Sequence, residues 1–382
     1  MVTIVKGGGG IGIAERYPVL DSLRGLAALG VVFHHIPVSE ALVIARWDDN
    51  FNLLLDLFFV ISGFVITAAY AERLGSGFPL RRFVWLRLGR IWPLHAAMLC
   101  VFILSMLALG VMRPDLRSHG LMAGRHDPAD LPAAFLLLQG IVPSLGPVWN
   151  DPSWSISVEM LLYVLAALGW RAVGQRAWIG WLVAALVLLA LTTFDSALQG
   201  TGYNVARGIS GFGLGIFVHA VLGRVKFTPS RALATALEAL ALLALVLVVG
   251  VSGNLVLFDG VAACLVALAV LQRGWISHLL AAQPFQVLGT LSYALYLSHV
   301  FVIGRVFDVL AVVQPRLGVM IAQTQVGGQD MLVGPDALAL LAKLAIVALC
   351  LLVAWPFATL IEQPARAWSR RVAGIPARKV AN

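Results

Sequence analysis

Long apolar stretches separated by short polar segments recur along almost the whole chain. A helix that crosses the hydrocarbon core of a bilayer needs about 17–25 mostly apolar residues, and ten stretches approach or meet that length. We predict transmembrane helices at 20–38, 53–71, 91–112, 154–171, 177–194, 205–222, 233–251, 256–272, 285–307 and 338–360. The shorter apolar stretch 131–142 is expected to form a re-entrant or surface helix. The pattern therefore predicts an all-α, polytopic membrane helix bundle with about ten transmembrane helices.

The composition excludes an ordinary soluble domain. Hydrophobic residues make up 60% of the 382 residues, charged residues make up 12%, and the mean hydropathy is +0.90. A soluble domain carries about 25% charged residues. The formal net charge of +8 is typical of a membrane protein with basic cytoplasmic loops, so it does not indicate nucleic-acid binding.

The basic residues alternate between successive polar segments. Most lysines and arginines fall in segments that would be cytoplasmic if both termini are cytoplasmic, and the opposite segments near Asp195 and Asn254 hold none. Positive residues favour the cytoplasmic side, so we predict a multi-pass protein of the cell (inner or plasma) membrane with both termini cytoplasmic. The predicted parts are a cytoplasmic lead-in at 1–19, a transmembrane domain at 20–362 and a basic cytoplasmic tail at 363–382.

Ionisable residues inside membrane helices are costly and therefore candidates for function. Arg24 and His35 are eleven residues apart in the first predicted span, which places them within about 20° of one helix face and about 16 Å apart along it. His34 would lie about 80° away from that face. The alternative is that Arg24 extends to the cytoplasmic surface and His35 caps the outer end. Asp56, near the outer end of the second span, is expected to orient His35, or else to serve only as an acidic first-turn residue.

An arginine cluster follows the second span, in a segment that we expect to be a loop. Arg87 and Arg90 are three residues apart, and Arg81 and Arg82 precede them. Guanidinium groups bind phosphate in a bidentate manner, so Arg82, Arg87 and Arg90 are candidates for binding a phosphate-bearing donor. Positive-inside topology would also place basic residues here.

Two further spans carry polar stripes at helical spacing. Glu159 lies on the stripe of the fourth span, and His299 lies on that of the ninth. Hydrogen bonds between helices would be the purely structural explanation. The residues expected to line a site are Trp154, Ser155, Ser157, Tyr163, Ser292 and Tyr296. Cys100, Cys264 and Cys350 lie in apolar runs without the spacing of a metal site, so we expect no metal.

Six stretches in this order resemble acyltransferase family 3, a family of integral membrane acyltransferases that modify surface glycans, Nod factors and macrolides. They are LDSLRGLAALGVVFHH, DLFFVISGFVI, RRFVWLRLGRIWPLH, PSWSISVEMLLYV, LSYALYLSHVFVI and IEQPARAW. The stretches extend from Leu20 to Trp368. Each is weak alone, and together they are a specific pattern.

The resemblance implies a membrane-embedded O-acyltransferase. Its donor substrate would be acyl-CoA, commonly acetyl-CoA, with no tightly bound cofactor, and its acceptor would be a hydroxyl of a sugar, glycan or glycoside. The family's motifs fall on Arg24 with His35, on Arg87 with Arg90, and on Ser157 with Glu159. Met160 stands where the family often has a second acid, and Ser298 stands where it often has tryptophan.

The site residues therefore form one hypothesis. The expected catalytic residues are His35, Arg24, Asp56, Glu159 and His299. His35 is the expected general base, because an imidazole can activate a hydroxyl nucleophile. A transporter or flippase of glycans or lipids is the alternative, since charges inside a membrane also mark transport pathways. The absence of visible internal repeats in the sequence favours the enzyme over the transporter, and a non-catalytic scaffold would not explain four ionisable residues within spans.

Overall fold

A computed structural model of the chain describes residues 17–39, 50–112, 126–143, 149–194, 199–225, 227–318, 320–324 and 330–375. Within these ranges the chain forms thirteen α-helices. They are α1 Pro18–His34, α2 Leu54–Gly75, α3 Leu80–Met112, α4 Leu131–Phe135, α5 Trp154–Val173, α6 Ala177–Phe194, α7 Gly200–Leu222, α8 Arg231–Leu247, α9 Leu255–Leu271, α10 Trp275–Leu280, α11 Gln283–Leu317, α12 Asp336–Phe357 and α13 Gln363–Val372. Residues 1–16 of the predicted lead-in and 376–382 of the predicted tail lie outside the described residues.

The prediction of an all-α, polytopic membrane bundle is confirmed. Each of the ten predicted spans coincides with a helix. Seven continuous segments of the described chain are long and apolar enough to cross a membrane. They are Phe51–Gly75, Leu80–Met112, Asp151–Thr193, Gly200–Leu222, Arg231–Ser252, Gln283–Arg316 and Asp336–Val372. The third contains both α5 and α6, which are joined by a 3₁₀ turn at Gly174–Arg176, and α1 and α9 are shorter, with 17 residues each.

Two local predictions need correction. The arginine segment is not a loop, because α3 begins at Leu80 and runs through it and past Pro93 for 33 residues. Arginine and leucine are good helix formers, so the basic charges do not end the helix. The stretch 131–142 is helical only at α4, since Leu137 has a positive φ of 58° and turns follow. These turns pack against α5, where Gly140 lies against the Trp154 carbonyl group.

Two helix pairs cross so closely that only glycine fits at the crossing points. A Cβ on Gly63 of α2 would collide with the Phe212 carbonyl of α7, and a Cβ on Gly215 of α7 would collide with the Val60 carbonyl of α2. Gly25 of α1 and Gly289 of α11 likewise face backbone of the opposite helix. Small residues permit such close approach in membranes, where packing rather than hydrophobic burial drives helix association.

Short elements pack against the long helices at both ends of the bundle. A π-helix at Ala358–Glu362 joins α12 to α13, and α13 packs on the first turns of α3. A two-stranded antiparallel sheet, β1 Ala322–Thr324 and β2 Asp330–Leu332, lies beside the segment that follows α1. The Leu332 amide donates to the Pro37 carbonyl at 2.9 Å, and the Ser39 amide donates to the Leu332 carbonyl at 2.9 Å. The sheet therefore anchors the backbone just after His35.

The glycine crossing between α2 and α7 can be tested by adding one methyl group. We expect Gly63→Ala and Gly215→Ala each to destabilise the bundle by about 1–3 kcal/mol, the usual cost of overpacking. Thermal unfolding in detergent would measure this. Gly260→Ala in α9 is the matched control, because a Cβ there meets nothing within 4 Å. Equal melting temperatures for all three variants would contradict the close-crossing interpretation.

The topology remains a prediction that reporter fusions can test. A fusion after Gly253 should report the outside, because the segment between α8 and α9 is predicted to be external. A fusion after Arg371 should report the cytoplasm. The opposite result at either position would overturn the orientation drawn from the basic residues.

Candidate active site

Four arginines from three helices converge at the end of the bundle that is predicted to be cytoplasmic. Arg366 of α13 is in electrostatic contact with Arg90 and Arg87 of α3 and with Arg24 of α1. Arg24 is also in electrostatic contact with Arg90. Like charges in a medium of low dielectric repel strongly, so this arrangement favours a bound anion. We call these four residues the arginine cluster.

Carboxylates compensate part of this charge. Glu362 accepts a hydrogen bond from Arg366 at 3.3 Å and is in electrostatic contact with Arg90. Glu159 of α5 is in electrostatic contact with both Arg24 and Arg90. Its Oε1 accepts hydrogen bonds from the Ser62 hydroxyl at 2.6 Å and from the Tyr163 hydroxyl at 2.5 Å. Two hydroxyl donors and two nearby guanidinium groups hold the Glu159 side chain at the arginine cluster.

Arg87 is held in place by aromatic groups. Its Nη2 donates to the Tyr70 hydroxyl at 3.0 Å, and its guanidinium lies 4.9 Å from the centre of the Tyr70 ring and 5.8 Å from that of Tyr163. Arg82, which the sequence grouped with Arg87 and Arg90, lies instead over the Phe78 ring at 5.6 Å. Arg82 is five residues before Arg87 and eight before Arg90 on α3, and its Nε is buried without a hydrogen-bond partner. Its role in phosphate binding stays a prediction.

A narrow cavity of about 40 Å³ leads from the arginine cluster towards the middle of the bundle. Its walls come from four helices: Arg24 of α1, Leu55, Phe58 and Phe59 of α2, Ser155, Ile156 and Glu159 of α5, and Tyr293 and Tyr296 of α11. Four residues that the sequence singled out therefore meet here, namely Arg24, Ser155, Glu159 and Tyr296. The Ser155 and Tyr296 hydroxyls are 2.7 Å apart.

Beyond Tyr296, two histidines from different helices face one another. The ring centres of His35 and His299 are 4.9 Å apart, and His299 is 5.8 Å from the Tyr296 ring. His35 Nδ1 is 2.8 Å from the Val31 carbonyl oxygen, and His299 Nδ1 is 2.6 Å from that of Tyr296. A carbonyl can only accept, so Nδ1 must carry the proton in both rings. In the neutral form of either ring, Nε2 is then the unprotonated nitrogen that can accept a proton.

The two Nε2 atoms differ in their surroundings. His299 is fully buried and its Nε2 has no hydrogen-bond partner. His35 is only partly buried. His34, next to it, lies with its ring centre 5.5 Å from that of His35 and makes no ring contact with His299 that the structure describes. His35, the histidine chosen from the sequence, is therefore the one whose ring faces His299, and its role as a base stays a prediction.

The structure corrects the role expected of Asp56. Its carboxylate is fully buried and pairs with Arg207 of α7, through Nη2 at 2.5 Å and Nε at 3.1 Å. This bidentate pair occupies both oxygens, so Asp56 does not orient His35. A guanidinium fork suits a carboxylate better than an imidazole does. Asp259 of α9, also fully buried, is in electrostatic contact with this pair.

Three of the expected lining residues make structural contacts and are not among the residues that line the cavity. The Ser157 hydroxyl donates to the Leu137 carbonyl at 2.5 Å and accepts from the Gly140 amide at 3.1 Å, so it fastens the turns after α4 to α5. The Ser292 hydroxyl donates to the Gly289 carbonyl of its own helix at 2.8 Å. Trp154 packs with its ring 6.4 Å from that of Phe59. Tyr163 does not line the cavity wall, and acts through its hydrogen bond to Glu159.

Several groups at the site were not singled out from the sequence. Arg366 and Glu362 lie in the stretch IEQPARAW, which signalled the resemblance without a role for either residue. Ser62 became significant only through its bond to Glu159. Lys343 of α12 is fully buried with Nζ 4.2 Å from the centre of the Phe33 ring. In the part of the chain that the structure describes, no group of three or more His, Cys, Asp or Glu residues could hold a metal ion.

Known proteins similar to this chain point to the same family as the sequence motifs. A family model described as an acyltransferase domain, Acyl_transf_3, matches residues 17–361. Protein 2 in picA locus of Rhizobium radiobacter is 31% identical over 189 residues, which cover 46% of this chain and 94% of that protein. No solved structure matches.

The family match spans nearly every helix that carries a site residue, from Arg24 on α1 to the cavity wall on α11 and the start of the π-helix. The chain therefore belongs to acyltransferase family 3, and it is a membrane acyltransferase.

Proposed function

We propose that the protein transfers an acyl group, and specifically acetyl, from acyl-CoA to a hydroxyl of a sugar, glycan or glycoside. The observation that supports this most is a continuous line of groups across the bundle. The arginine cluster lies at one end, the narrow cavity follows, and the histidine pair lies beyond Tyr296 at the other. Arg24 and His35, on one face of α1, mark the ends of the line.

The donor end suits a phosphate-bearing molecule. Arg87, Arg90 and Arg366 would bind the CoA phosphates, because guanidinium groups form charge-assisted bidentate bonds with phosphate oxygens. Their position at the predicted cytoplasmic face matches the compartment in which acyl-CoA occurs. Glu159 and Glu362 hold these arginines in place.

The size of the cavity supports a small acyl group. A cavity needs roughly 10–15 Å³ to hold one water molecule, so a cavity of about 40 Å³ is small and favours a short acyl group such as acetyl. The aromatic walls formed by Phe58, Phe59 and Tyr293 would restrict a longer chain.

The chemistry follows from the groups at the two ends of the cavity. His35 Nε2 would take the proton of the acceptor hydroxyl as its oxygen attacks the thioester carbonyl. Arg24, about 16 Å away along α1, is too far from His35 to contact the same carbonyl group, and it would instead hold a negative group of the donor. The tetrahedral intermediate then expels CoA as a thiolate, and the imidazolium proton neutralises it. The products are an ester and free CoA, with atoms and charge balanced.

The general base can be tested by changing the two adjacent histidines separately. We expect His35→Ala to lower transfer by about 100- to 10,000-fold, the usual contribution of a general base. His34→Ala, the matched control, should keep most of the activity. The measurement is the mass of O-acylated glycans from cells that carry each variant, together with acetyl-CoA binding by the purified protein. Inactive His34→Ala with active His35→Ala would reverse the assignment, and two active variants would shift it to His299.

The donor site can be tested along one helix. Arg90→Ala should weaken acetyl-CoA binding by about tenfold or more, since one lost hydrogen bond between charged groups costs about 1.5–3 kcal/mol. Calorimetry with the purified protein would measure this. Arg81→Ala is the control, because Arg81 is exposed on the same helix. Unchanged affinity of Arg90→Ala, or an equal loss in both variants, would count against phosphate binding at the cluster.

A further inference from the structure

A second and larger cavity, of about 320 Å³, lies apart from the line of catalytic groups. It is formed where α2, α5, α6 and α7 meet, at the end of the bundle predicted to be cytoplasmic. Its lining residues include Trp170, Gln175, Trp178, Ile216, His219 and Arg224. Thr67 of α2 also lies on its wall, whereas Tyr70, three residues later, contacts Arg87 of the arginine cluster. Nothing in the acyl-transfer chemistry uses this cavity.

The polar groups of the cavity favour an anion. Arg224 and His219 lie on one wall and are in electrostatic contact with each other. No carboxylate is among the lining residues that the structure describes. Arg224 Nη1 donates to the Ala220 carbonyl at 2.5 Å. A guanidinium has five N–H donors, so this bond leaves donor capacity for a ligand.

The remaining wall is apolar and aromatic. Trp170 is buried, Ile216 is fully buried, and the Arg224 guanidinium stands 5.2 Å from the centre of the Trp178 ring. Indole rings beside arginine are typical of the headgroup region of a bilayer, where an apolar ring and a charged group are both accommodated. A ligand for this cavity should therefore combine an anionic group with an apolar body.

The surface beside the cavity indicates where the apolar body would lie. α6 exposes a row of aliphatic side chains next to Trp178, with Ile179 49%, Val183 55% and Leu186 54% exposed. In a membrane this face is covered by lipid. A molecule with its headgroup at Arg224 and acyl chains along α6 would contact both surfaces together.

We propose that this cavity binds the headgroup of an anionic phospholipid from the cytoplasmic leaflet. The phosphate would contact Arg224 and His219, the indole rings of Trp170 and Trp178 would flank the glycerol region, and the acyl chains would lie along α6. The bound lipid would connect α6 and α7 to α2 and so stabilise this side of the bundle.

The test uses the full chain in nanodiscs of phosphatidylcholine with and without phosphatidylglycerol. Phosphatidylglycerol should raise the melting temperature of the wild-type protein and remain bound in native mass spectra. Arg224→Gln should reduce that binding about tenfold and remove the melting shift, whereas Arg224→Lys, which keeps the charge, should retain part of both. Arg176→Gln is the control, because Arg176 is exposed nearby but does not line the cavity.

Two further arms distinguish other sources of phosphate. Inorganic phosphate at millimolar concentration should not reproduce the shift, and neither should adenosine 3′,5′-bisphosphate, the anionic end of CoA. A shift with either compound that Arg224→Gln abolishes would overturn the lipid assignment, as would equal losses in Arg224→Gln and Arg176→Gln. In phosphatidylcholine alone, acyl transfer should be the same in the wild-type protein and the three variants. Failure of the lipid proposal can therefore be told apart from failure of the proposed acyl transfer.

Discussion

Mutual repulsion among four arginines inside a helix bundle is the constraint on which the active site depends. Arg24, Arg87, Arg90 and Arg366 come from three helices and are in electrostatic contact. At low dielectric, neighbouring like charges cost several kcal/mol unless counter-charges are close. Asp21, Glu159 and Glu362 supply the counter-charge, so three carboxylates stand against four guanidinium groups. The remaining positive charge is small enough for the bundle to fold, and it still favours the binding of a polyanion.

A carboxylate that compensates the arginine charge also positions the helices around the cavity. Glu159 contacts the arginines electrostatically and accepts hydrogen bonds from Ser62 and Tyr163, so it fixes α5 relative to α2 and α3. The cavity wall depends on that placement, because Ser155 and Ile156 lie one turn earlier on α5. The opposite end is fixed by backbone carbonyls, which select one tautomer for His35 and for His299. Charge thus organises the arginine end of the cavity, and hydrogen-bond geometry organises the histidine end.

Much of this was accessible from the sequence. Hydropathy located the helices, and helical spacing with the family resemblance selected Arg24, His35, Glu159 and His299, which the structure places along one line. The orienting role predicted for Asp56 was wrong, because its ion-pair partner Arg207 is 151 residues away in the chain. Local residue spacing does not reveal a contact of that kind. Ser157 was misread because its hydroxyl serves a turn whose position depends on the tertiary fold. The sequence analysis did not predict the glycine crossings. The GFGLG stretch from Gly211 to Gly215 nevertheless has the small-xxx-small pattern that is typical of close helix packing in membranes.

The glycine crossings join four helices into two tightly packed pairs, which we call blocks. One block joins α1 to α11 through Gly25 and Gly289, and the other joins α2 to α7 through Gly63 and Gly215. The cavity lies on the seam between them, with Arg24, Tyr293 and Tyr296 on the first block and Phe58 and Phe59 on the second. A rigid shift of one block against the other would widen the cavity without separating either glycine contact. Such a seam would give the proposed thioester donor a route towards the histidine pair that leaves the fold of each half intact.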